Sequence, residues 1–255
     1  MSDLKADKPN KSDRVYEYWD PTLRTQWVKW LLIAGIALSL VSFLSDAAEF
    51  RLLRDIQSGA FESQAALMAA AESSDSRQAV IGVAYFVLFV AIGIAILMWI
   101  YRANSNAHAL GAAGMRFRPG WAVGWYFIPI LNLWKPYQAM KEIWKVSADP
   151  RTWQAQERSP LLPWWWFLWI VSGILGQAYF RLSLRAEEID ALKAASALGM
   201  LTDAIDIPLN LIFIAIAGRI CQMQVAHAQG RAGAPGTAAA PPGSVSPPLP
   251  ASDPR

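Results

Sequence analysis

Cysteine is nearly missing from this chain. Cys221 stands alone, so no internal disulfide can form and no cysteine-rich metal centre can be built. Histidine is almost as scarce, and His108 and His227 are too few for a histidine metal cluster. Charge is thin as well: Lys, Arg, Asp and Glu make up 17% of the residues, where soluble proteins carry roughly 25%. A Gly-rich phosphate loop, a nucleophile–base pairing and an HExxH-like spacing are all lacking. A hydrolase, kinase or redox enzyme therefore has no residues to stand on; no cofactor and no nucleic-acid partner are expected.

What is present is apolar length. Hydrophobic residues reach 54%, and the uncharged runs are long: 16 residues at Trp30–Ser45, 23 at Ala79–Tyr101 and 20 at Leu161–Phe180. About 20 apolar residues suffice to cross a ~30 Å hydrocarbon core. The first run qualifies once Trp27 and Lys29 serve as an interfacial anchor with a snorkelling stem. The expectation is an all-α polytopic membrane protein with spans at about 27–45, 78–101, 161–180 and 207–226. Residues 1–26 read as a polar tail without the apolar core of a signal peptide, turning at Asp20-Pro21 into the first helix. Residues 46–77 and 181–206 read as helical extramembrane loops, with Ser73-Ser74-Asp75-Ser76 marking a helix start before the second span. Residues 230–255 hold seven of the 16 prolines and are expected to be disordered.

Between the helix pairs lies residues 116–147, RFRPGWAVGWYFIPILNLWKPYQAMKEIWKVS. Its uncharged core, Pro119–Trp134, has 16 residues and would reach only about 24 Å as a helix. Pro129 and Pro136 interrupt it. Length leaves open a short fifth span or a re-entrant hairpin, and charge separates them. Without a crossing, Lys and Arg divide 17 to 6 between the two sides; with one, they divide 12 to 11. Cytoplasmic segments carry the excess of Lys and Arg, so four spans with both termini cytoplasmic are preferred. After Pro136 the pattern becomes amphipathic: Tyr137, Met140, Ile143 and Trp144 on one face, Lys135, Gln138, Lys141, Glu142 and Lys145 on the other, as in an interfacial helix.

Several side chains are candidates for function. Arg116, Arg118, Lys135, Lys141 and Lys145, interleaved with Trp121, Trp125, Trp134, Tyr137 and Trp144, would contact anionic lipid or a partner membrane protein; the bland alternative is that the charges only fix topology. Pro129, Asn132 and Pro136 form the structural break, where the Asn132 side chain could satisfy exposed backbone groups or bind a ligand. Asp203, Asp206 and Asn210 are intramembrane polar candidates. Asp206 before Pro208 reads first as a helix cap and second as an ion- or proton-coupling carboxylate. Gly35-x-x-x-Ser39 and Ser172-x-x-x-Gly176 offer close-packing faces, which hint at a homo-oligomer. Phe50-Arg51-Leu52 matches Phe180-Arg181-Leu182, and Ala107-His108-Ala109 matches Ala226-His227-Ala228. Chance likeness between helices is preferred over a parallel duplication.

The block Trp99-Ile100-Tyr101-Arg102-Ala103-x-x-Asn106-Ala107-x-Ala109-Leu110-Gly111, then Phe117-x-Pro119-Gly120-Trp121-Ala122-Val123-Gly124-Trp125-Tyr126-Phe127-Ile128-Pro129-Ile130-x-Asn132-Leu133-Trp134-Lys135-Pro136-Tyr137, resembles the bacterial domain-of-unknown-function 4328 family. The likeness covers about residues 27–228. It implies a polytopic protein of the bacterial inner membrane with this Trp/Pro block between helix pairs, and it transfers no catalytic residue. The first functional expectation is a structural or regulatory membrane protein whose basic Trp/Pro element touches lipid or a partner. The alternative is a small transporter or channel with its site at the broken segment.

Overall fold

A computed structural model describes residues 16–232. The first 15 residues of the polar tail, and residues 233–255 of the tail expected to be disordered, lie outside the described residues. Among the described residues the chain is all helical: α1 (Thr22–Gln57), α2 (Gln64–Ala109), α3 (Pro119–Gly124), α4 (Lys135–Ala148), α5 (Leu161–Ser183) and α6 (Ile189–Ala232). Four of these, α1, α2, α5 and α6, are long and apolar enough to cross a membrane. At 1.5 Å per residue α1, α2 and α6 are about 54, 69 and 66 Å long, well beyond a ~30 Å hydrocarbon core, while α5 at about 35 Å nearly matches it.

The surplus length lies at the end of the bundle away from residues 16–21 and the α6 C-terminus, called the far end here. Sequence chemistry explains why the helices run on. Ser63 caps α2, accepting the Ala66 N–H at 3.2 Å, and the strong helix formers Gln64–Ala71 carry the helix straight through the serines at 73, 74 and 76. No helix starts at those serines; Ser74 is buried and accepts from Arg77 at 2.9 Å. At the other end of the bundle, Asp20 Oδ1 accepts the Thr22 N–H at 2.8 Å and turns the chain into α1, five residues before the expected start of the span.

α1 packs along both α2 and α6, and α6 packs along α5, but α2 and α5 barely touch. A bundle with two-fold related halves would pair α2 with α5 as closely as α1 with α6. This one does not, so the short sequence matches between the halves have no counterpart in the helix packing. Gly35 lies at the α1–α2–α6 contact, where an added Cβ would sit 3.0 Å from Ile92 Cδ1 and 3.6 Å from Asn210 Nδ2. Gly176 has open space in front of it and closes no helix contact.

Most of the fully buried apolar side chains, Ile100, Met140, Ile143, Leu162 and Ile216 among them, lie at the near end. Polar bonds fasten it. Trp99 Nε1 donates to Thr25 Oγ1 at 2.9 Å. The Asn106 amide grips the backbone of Trp19 on both sides, accepting its N–H at 3.1 Å and donating to its carbonyl at 2.8 Å, and also donates to Gln224 Oε1 at 3.2 Å. Gln224 in turn donates to Ala103 O and to Ser147 Oγ. Between helices in lipid such bonds matter because apolar surface gives little net drive to associate.

Residues 116–147 leave the near end and come back to it. Arg116 and Phe117 N–H donate to the Glu142 carboxylate at 3.1 and 3.0 Å, and Lys135 Nζ lies 5.9 Å from the Phe117 ring centre. At the tip the backbone reverses at Ile130, whose φ of 68° and ψ of −52° with a Leu131 N–H to Pro129 O bond of 2.7 Å make a γ-turn, a strained conformation for a β-branched residue. A carbonyl freed by the break, Leu133 O, accepts the Trp166 indole N–H at 2.9 Å. The Asn132 side chain makes no hydrogen bond among the described residues and so does not satisfy the backbone at the break; an indole from α5 reaches it instead. Pro136 sits in the first turn of α4, where its missing N–H costs nothing.

α4 also departs from the interfacial pattern. Ala139, Met140, Ile143 and Val146 are fully buried against the protein rather than turned outward, and Glu142, assigned by periodicity to the polar face, is only 5% exposed. Its two backbone donors explain why a carboxylate is found there.

Candidate functional site

Because α2 and α5 part, the four long helices enclose a cavity of about 410 Å³ that is open between those two helices. Its walls are apolar and aromatic. Phe89 from α2, Trp165 and Trp169 from α5, and Phe213 from α6 line the sides, while Tyr126 and Phe127 from the hairpin cover one end. Trp169 stacks on Trp166 at 4.6 Å and meets the Tyr126 ring edge-on at 6.1 Å, which couples the hairpin to α5. The Tyr126 hydroxyl is buried with no partner.

Opposite the hairpin the cavity turns polar. Asp206 accepts from Ser172 Oγ at 2.6 Å and from Tyr85 OH at 3.0 Å. The Tyr85 hydroxyl also lies 3.3 Å from Asp203 Oδ1 and 3.4 Å from Ser39 Oγ. One phenol proton thus faces two carboxylates. Asp203 is 3% exposed, and its Oδ2 has no partner at hydrogen-bonding geometry although Ser42 stands beside it. No salt bridge reaches either carboxylate among the described residues. Asp206 does not cap a helix: α6 starts at Ile189, and Pro208 lies inside it. The Ala- and Leu-rich segment before Asp203 forms helix by itself, so Asp206 falls in the middle of α6 and turns to α2 and α5.

Further out, Asp46 is buried where all four long helices meet. It accepts from Gln78 Nε2 at 3.1 Å, and Glu49 accepts from the same amide. Arg77 Nε donates to Ser45 at 2.9 Å. The Asp46 carboxyl occupies the space that a Cβ on Gly199 would take, with Tyr179 alongside.

Of the residues singled out from sequence, Asp206 and Asn210 line the cavity and Asp203 lies behind it. Arg116, Arg118, Trp121 and Trp134 are exposed; Trp125, Lys135, Tyr137, Lys141, Trp144 and Lys145 are half-buried. Lys135 is drawn inward, 5.6 Å from the Trp125 ring centre, and Lys145 donates to Gln154 O at 3.2 Å. The basic and aromatic residues are therefore unevenly exposed. Sequence reasoning passed over Tyr85 and Asp46, read Ser172 only as part of a close-packing pair and placed Glu142 on a polar helix face. Tyr85 did carry a signal: it is the one polar side chain in its uncharged run before the terminal Trp99–Tyr101 belt.

An all-α bundle with four helices fit to cross a membrane, a Trp/Pro hairpin at one end and a half-open cavity between its helix pairs defines the class of protein. A family profile described as "Domain of unknown function (DUF4328)" matches residues 62–222, and the chain belongs to that family. The match runs from the start of α2 through most of α6, and α1 lies outside it. No curated protein and no solved structure matches the chain.

Proposed function

We propose that this protein is a small transporter of the inner membrane that binds a lipophilic small molecule in the crevice between α2 and α5. The gap between those two helices carries the reading: three sides of the bundle are packed shut and the fourth opens where lipid would lie. The volume falls within the ~300–1,000 Å³ usual for small-molecule sites. Gly93 and Gly173 line the crevice, and a Cβ added at either meets nothing within 4 Å, so Gly93→Trp or Gly173→Trp would direct a bulky ring into it. Gly82 also faces open space but lies away from the crevice, so Gly82→Trp is the control. The expected result is saturable binding of a triphenyl probe, cationic, neutral or anionic, to purified protein, lost in both crevice variants and kept in the control. Only non-saturable partitioning, equal in every variant, would overturn the proposal.

The charge balance favours the near end as the cytoplasmic one, so the hairpin dips into that leaflet with exposed Trp121, Ile130, Leu133 and Trp134 among the acyl chains and Arg116 and Arg118 at the headgroups. Anionic phosphatidylglycerol should be retained over phosphatidylcholine in native mass spectra, and Arg116→Ala with Arg118→Ala should remove the preference. Equal retention by the parent protein would rule the contact out. The same spectra read whether the bare face of α2 (Val80, Val83, Val87) is covered by a second copy.

A further inference from the structure

Resting on the crevice reading, we infer that the molecule it takes is a lipophilic monovalent cation, with its charge against Asp206 and its apolar body among the aromatic rings between α2 and α5. The lining holds one carboxylate and no Lys, Arg or His. Asp206 has hydroxyl donors in Ser172 and Tyr85, but Tyr85 has a single proton to share with Asp203, and no cationic side chain pairs with either acid. An acid inside a membrane is costly unless something compensates its charge, and such groups mark pathways for ions and substrates. Among the described residues the chain supplies no positive partner. A bound cation does.

The remaining walls suit the same class. Phe89, Trp165, Trp169, Phe213, Tyr126 and Phe127 make the lining aromatic, and aromatic rings attract a desolvated cation and accept a bulky apolar body. The buried Tyr126 hydroxyl, without a partner, adds one more dipole at the hairpin end. An anion would meet Asp206 with nothing to offset the repulsion. A strongly hydrated inorganic cation would meet oxygens only at the polar end, from Ser39, Tyr85, Ser172, Asp206 and Asn210, and would leave the aromatic walls unused. Entry from lipid requires a cation that partitions into the bilayer.

The test uses the full-length protein in detergent and three probes of similar shape: tetraphenylphosphonium, neutral triphenylphosphine oxide and tetraphenylborate. Tetraphenylphosphonium should bind saturably, one per chain. Asp206→Asn should weaken it at least about tenfold, and Asp206→Glu should bring it back to within roughly threefold. The neutral probe should bind more weakly and be indifferent to Asp206→Asn, and tetraphenylborate should not compete. Binding of the neutral or anionic probe as tight as that of the cation, still lost in Gly93→Trp, would overturn the cation inference and leave the crevice reading standing. Absence of saturable binding by all three would overturn both. If Asp206→Asn is not monodisperse, Ser172→Ala and Tyr85→Phe decide. Each removes a donor and keeps the charge, so cation binding should hold or tighten, and its loss would count against the inference.

Discussion

Replacing Glu142 with alanine should destabilise the protein by roughly 2–4 kcal/mol, because two backbone N–H groups then lose a charged acceptor they cannot replace. The Phe117 N–H is buried and the Arg116 N–H partly so, and both end on this one carboxylate. The damage should be local in origin and wide in effect. Glu142 holds the two ends of the hairpin together, so its loss frees Tyr126 and Phe127 from the end of the crevice. Thermal unfolding in detergent, followed by circular dichroism, would show the fall. Glu142→Gln should lose less, since its amide oxygen still accepts. Burial is the largest influence on the Glu142 carboxyl and raises it above its ordinary value of 4.5, with the two N–H bonds opposing the rise. The folded state therefore holds this proton more tightly than the unfolded chain does. Stability from this group falls as pH climbs from the ordinary value to the raised one and is level beyond it. Glu142→Gln should lack that step; an identical pH profile for the variant would refute the assignment.

Gly199→Ala should cost about 1–3 kcal/mol, the usual range for forcing one methyl into a filled site. The new Cβ would overlap Asp46 Oδ2 outright and lie 3.2 Å from both Asp46 Cγ and Tyr179 Cε2. Asp46 cannot step aside cheaply: it is 3% exposed and tied to Gln78 on α2. A double-mutant cycle makes the cause testable. Asp46→Ala alone removes a buried acid without a salt bridge and should cost little. In that background Gly199→Ala has room and should be close to neutral. Additive losses in the double variant would show that the Asp46–Gly199 contact is not the source.

The spans were legible because hydropathy and length are local properties, and each long helix contains its expected run. The break was legible for a similar reason, since Pro129 and Pro136 are local signals that one helix cannot run unbroken through residues 119–136. What could not be read was who faces whom. Ser172 meets Asp206 across 34 residues and Tyr85 meets it across 121. No periodicity reports pairings at that range. Asp206 was misread as a cap because the rule for Asp before Pro assumes a helix beginning there, whereas residues 189–205 are already helical. Glu142 fell on the wrong face because a helical wheel sees alternation and cannot see two backbone donors arriving from residues 116 and 117.

The grip of Asn106 on Trp19 sets an order of assembly. Trp19 leaves the ribosome before any of the long helices, its clamp on α2 comes about 90 residues later, and the glutamine that braces the clamp follows near the end of α6. During synthesis the first three long helices must therefore enter the bilayer with the near end unbuckled. A chain cut before Gln224 keeps all the apolar runs needed for insertion yet lacks the brace that closes the bundle. The last turns of α6 thus act as the fastening of a bundle whose other long helices are made before them.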